Sequence, residues 1–103
     1  MTKITVRYSD TGEFVSLHSV GHANSGDYGK DIVCAAISAV ILGGINALKG
    51  QNYKLKADEQ KGEIELYNIG NMTEHDQIVI ETVVAQLSSI ARDNPKHLKI
   101  SVE

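Results

Sequence analysis

The sequence predicts an α+β protein, a two-layer α/β sandwich with two long helices on a largely antiparallel sheet and elements in the order ββαββαβ. Three observations lead there. Five short segments alternate apolar and polar residues with the period of two that a strand face imposes. Two long segments carry helix start and stop residues around an apolar pattern too long for a strand. Four of the strand segments form two pairs joined by short turn-rich stretches, which makes hairpins and hence antiparallel neighbours.

Taken in order, Ile4, Val6 and Tyr8 alternate with Thr5 and Arg7, and Ser9-Asp10-Thr11-Gly12 turns the chain into a second strand over Phe14–Val20. The segment from Gly21 to Gly29 holds three glycines in nine residues, which favours a loop. Asp31 is suited to accept hydrogen bonds from amides of a first helical turn and Gly50 is a good stop, so a first helix is predicted over about residues 31–49. Its large apolar residues point in several directions between the small residues Ala35, Ala36, Ala39, Gly43, Gly44 and Ala47. A sheet covers one face; a second helix or a subunit must cover another. Tyr53–Ala57 and Glu63–Tyr67 alternate around Asp58–Gly62 as a second hairpin. Thr73 opens a second helix over about 73–93, in which Ile80, Val83, Val84, Leu87, Ile90 and Ala91 keep helical spacing, and Asn94-Pro95 stops it. Leu98, Ile100 and Val102 alternate in a last strand.

A length of 103 residues bounds a single domain, 1–103, and 42% hydrophobic residues is ordinary for a folded chain. Ten Lys and Arg against thirteen Asp and Glu give a net charge of −3, so no direct nucleic-acid binding and no anionic-membrane surface are expected. The single cysteine closes no internal disulfide and is too little for a Cys-dominated zinc site, which makes Cys34 a free thiol of a reducing, cytoplasmic setting. Met1–Arg7 reaches charge before a signal-peptide core forms, so no export signal is expected. The most apolar stretch, Ile32 to Leu48, is broken by Ser38, Gly43, Gly44 and Asn46 and reads as a buried helix, not a membrane span.

The chemistry-bearing segment is Gly21 to Ser38. It puts the only cysteine in the first turn of a helix, where unpaired amides and the helix dipole favour a thiolate. The loop from His22 to Asp31 is long enough to fold back and bring the imidazole to the sulfur, the relationship of a nucleophile and its base. Free cysteines are often small buried hydrophobes, so spacing alone leaves Cys34 open to a structural role. Asp31 suits a helix cap first and an orienter of His22 second; Ser38, four residues after Cys34, suits a bond back to the helix carbonyl first and site polarity second. His18 and His22, on an extended strand, stand about 13 Å apart, too far to ligate one metal, so no metal site and no cofactor are expected. His75 and His97 are assigned no chemistry. Tyr8, Tyr53 and Tyr67 read as packing residues, and Tyr28 as a residue of a loop, 23–30, expected to be mobile and to order over a peptide.

Gly21-His22-Ala23, Gly29, Asp31-Ile32-Val33-Cys34-Ala35-Ala36-Ile37-Ser38 and Ile45-Asn46-Ala47-Leu48 together resemble the bacterial ribosomal-processing cysteine protease family, Prp. The resemblance implies a single cysteine protease domain that removes a short hydrophobic N-terminal extension from a large-subunit ribosomal protein near the peptidyl-transferase centre, cutting after an aromatic residue. It implies Cys34 as nucleophile and His22 as base and acid partner. The apolar circumference of the first helix adds the expectation of a homodimer. The competing reading is a non-catalytic peptide-binding or ribosome-assembly module in which Cys34 is structural; rapid alkylation of Cys34 below neutral pH separates the two.

Overall fold

The hairpin and helix pattern resolves into β1 (Thr2–Tyr8), β2 (Phe14–Val20), α1 (Ile32–Ala47), β3 (Tyr53–Asp58), β4 (Glu63–Asn68), α2 (Glu74–Asp93) and β5 (Leu98–Val102). The structure is a computed structural model that describes residues 1–22 and 31–103. The expectations for the 23–30 loop and for Tyr28 lie outside the described residues.

The strands form one sheet in the order β3-β4-β2-β1-β5. Both hairpins and the β2–β4 pair are antiparallel, and only β1 and β5 run parallel, because α2 carries the chain across the sheet before β5 joins its edge. Register puts Ile4 opposite Ser19, Val6 opposite Leu17, and Leu17 opposite Leu66. Since side chains alternate across a strand, this row faces one way, toward the helices. Val33, Ile37 and Ile41, spaced by four, bring one face of α1 onto it, and Ile80, Val83 and Leu87 do the same for α2. Each such side chain removed from water contributes about 1.5–3 kcal/mol, so this shared layer dominates stability. The two helices also meet each other at Gly44, where any Cβ would run into the Val83 side chain. The second helix is thus one of the covers that the apolar circumference of α1 demanded. The opposite sheet face is polar, with His18 Nε2 3.0 Å from Glu63 Oε2 and an exposed Arg7–Glu103 pair at 3.0 Å.

Both helix starts fall where the caps were predicted: Asp31 and Thr73 accept the amides of Cys34 and Asp76. The end of α1 differs. The helix stops at Ala47, two residues short of Lys49, with Leu48 already extended. The cause is Asp76, whose side chain is 1% exposed. Its Oδ1 accepts the Lys49 amide at 3.0 Å, and its Oδ2 accepts the Gly50 amide at 2.9 Å and the Tyr53 hydroxyl at 2.7 Å. His75 Nδ1 lies 2.8 Å from Oδ1. Burial by itself would push the Asp76 carboxyl up, but these hydrogen bonds outweigh it and hold the group well below the usual carboxylate range. Burial and the same carboxylate push the Tyr53 phenol up. Tyr53 is therefore more than the packing residue its strand pattern predicted.

Candidate active site

The site lies where the sheet ladder ends and α1 begins. Beyond the last β2–β4 pair, Ser19 with Ile64, the chain leaves β2 through Gly21 at φ +99, a left-handed conformation that side chains resist. A Cβ there would also lie 2.5 Å from the Met1 carbonyl oxygen, so glycine is required on two counts. Thr2 Oγ1 donates to the Gly21 carbonyl at 3.4 Å and ties this exit to β1. His22 follows with an exposed side chain.

Asp31 starts α1. Its Oδ1 accepts the Cys34 amide at 2.8 Å and its carbonyl accepts the Ala35 amide at 3.1 Å, so the capping role predicted for it is present. The Cys34 amide, one of the first-turn amides without a helical partner, is thereby committed to the cap. Cys34 is a free, half-buried thiol, with Ile37 and Ile41 continuing into the core along the same side of α1. Ser38, exposed one turn on, makes no bond back to the Cys34 carbonyl among the described residues, unlike Thr82, whose hydroxyl donates to the Ile78 carbonyl at 2.8 Å.

His22, Cys34 and Ser38 line one open groove of about 360 Å³. Ile37, Ile41 and Leu42 of α1 and Ile64 of β4 give it apolar walls, while Asp58, Glu59 and Glu63 of the second hairpin complete its rim. Asp31 does not line it. Ala57, Gly62 and Ile64 carried no chemical signal in the sequence, and no local pattern could have placed them opposite α1. His18 is paired with Glu63 on the polar sheet face, away from the metal grouping considered for it. A shallower depression of about 520 Å³ between α1 and α2, lined by Ala39, Gly43, Ala47, Ile78 and Thr82 among others, has neither thiol nor imidazole. Among the described residues no helix is long and apolar enough to cross a membrane.

In a small two-layer α+β fold the single thiol and an imidazole share one groove, a pairing that a thiol-dependent hydrolase requires. The sequence profile of the family Cysteine protease Prp matches residues 1–99, and the chain belongs to that family of ribosomal processing cysteine proteases. It is 31% identical over 108 residues to the ribosomal processing cysteine protease Prp of Bacillus subtilis, covering 98% of this chain and 96% of that one. Its identity to the Staphylococcus aureus protein of the same name is 26% over 104 residues, covering 98% of each. The crystal structure of the essential ribosomal processing protease Prp from S. aureus, in complex with a covalently linked product peptide, superposes with a TM-score of 0.94 at 25% identity, with all of both chains covered.

Proposed function

We propose that this protease removes a short hydrophobic N-terminal extension from a large-subunit ribosomal protein during ribosome maturation in the cytoplasm, with Cys34 as nucleophile and His22 as general base and acid. The observation that carries the reading is that the thiol and the imidazole line the same apolar-walled groove. Such walls suit the hydrophobic residues before the cut, and the S. aureus relative crystallised with a covalently linked product peptide supports a peptide occupant.

In this reading the Cys34 thiolate adds to the scissile carbonyl carbon, and the imidazolium of His22 gives its proton to the amine as the C–N bond breaks. The thioester left on Cys34 is attacked by water, whose proton passes to His22; the C–S bond breaks and the carboxylate product leaves. Apolar surface on the helices beside the inter-helix depression, with Ile78 more than half exposed, supports association into a homodimer. A mass of one chain by light scattering at high concentration would contradict the dimer.

Cys34→Ala and His22→Ala are expected to abolish cleavage of a peptide spanning the extension junction while leaving the circular dichroism spectrum unchanged. Wild-type cleavage by folded Cys34→Ala protein would overturn the mechanism and leave the peptide-binding reading.

A further inference from the structure

Continued by two residues past the pair of Ser19 with Ile64, the antiparallel β2–β4 register brings Gly21 opposite Gly62. Both glycines are left-handed, with φ +99 and +59. Gly62 closes the turn between β3 and β4, its amide donating to the Glu59 carbonyl at 3.2 Å. Asp58 Oδ1 stiffens that turn by accepting the Gln60 and Lys61 amides at 3.0 and 3.2 Å. One residue on, Glu63 Oε2 meets His18 Nε2 at 3.0 Å and fastens the hairpin to β2. The consequence lies at the imidazole. A Cβ on Gly62 would sit 2.9 Å from His22 Cε1 and from the Gly21 carbonyl oxygen, closer than side chains come, and 3.1 Å from His22 Nε2, so the ring would have to move.

We propose that Gly62 is a positioning residue for His22: the bare Cα of the β3–β4 turn is the surface on which the Cε1–Nε2 edge of the imidazole rests, and this contact sets where the ring stands relative to Cys34. The proposal rests on the reading of His22 as the base. It gives the second hairpin, which carries none of the family-like motif, a direct part in assembling the site. A side chain at 62 would displace the ring, and a misplacement on the order of 1 Å in a reacting group costs about a hundred-fold in rate.

The test compares Gly62→Ala with Gly12→Ala in the full chain. Gly12, in the β1–β2 turn, has φ +87 and nothing within 4 Å of an added Cβ, so it reproduces the left-handed strain without filling the seat. Gly62→Ala is expected to lower kcat on the junction peptide by roughly ten-fold or more with KM within about two-fold, whereas Gly12→Ala keeps the wild-type kcat. In ¹³C-histidine-labelled protein, the His22 ring signal, assigned from the His22→Ala spectrum, should show a nuclear Overhauser contact to Gly62 Hα and should move in Gly62→Ala alone. Should Gly62→Ala not fold, Gly62→Asn, a residue that accepts left-handed backbone, takes its place. Wild-type kcat together with an unmoved His22 signal in the folded variant, or absence of the contact in the unmodified protein, overturns the seat. If His22→Ala itself cleaves normally, the base reading falls, and the ring signal alone then decides whether Gly62 holds the imidazole.

Discussion

At its first turn α1 is capped by Asp31, a half-buried residue that takes the Cys34 amide at 2.8 Å, and the thiol beside that cap opens on a groove. At its far end the chain runs into Asp76, a carboxylate with 1% of its side chain exposed that binds the Lys49 and Gly50 amides and the Tyr53 hydroxyl. The two carboxylates do similar work, accepting backbone amides, but in different surroundings. A hydrogen bond in water's reach is replaced cheaply, whereas a buried one leaves stranded donors when it is lost. The helix is therefore anchored at its far end by a buried acceptor and capped beside Cys34 by a more exposed one.

That contrast predicts a division of effects. Cys34→Ala should remove cleavage and barely move the urea midpoint. Asp76→Ala should do the opposite, lowering unfolding free energy by about 3 kcal/mol or more, because two amides and a phenol are left without an acceptor. Junction-peptide turnover by the fraction that remains folded should stay near wild type. A midpoint unchanged in Asp76→Ala would break the comparison outright.

A second effect follows from the lowered pKa of Asp76. A group whose folded value lies below its unfolded value stabilises the protein fully above the unfolded carboxylate value, about 4, and loses that contribution as pH falls below it. Urea midpoints measured from pH 6 downward should thus fall more steeply for the wild type than for Asp76→Asn, with the wild type's advantage narrowing below about pH 5. Parallel curves would mean that the carboxylate's charge does not matter to the anchor.

The smallest effect is expected at the other cap. Asp31→Ala should cost about 1 kcal/mol of stability, the usual worth of a helix N-cap, and should reduce cleavage far less than His22→Ala. A loss of turnover as complete as that of His22→Ala would show that Asp31 acts on the imidazole as well as on the helix.

Element order, the two helix starts and both hairpins were legible in the residues, since each rests on interactions within about four positions: strand alternation, the Asp31 and Thr73 caps, the turn at Ser9–Gly12. That His22 and Cys34 line one groove was foreshadowed too, because the residues around them resemble a known family. Nothing local could show that α1 stops at Ala47, since the group that draws away the Lys49 amide is 27 residues distant. The same holds for the groove's far wall and for the seat of His22, which come from Ala57, Gly62 and Ile64. Those residues are ordinary in sequence. Sheet register alone brings them to the site, and register is set by which apolar faces must be buried together.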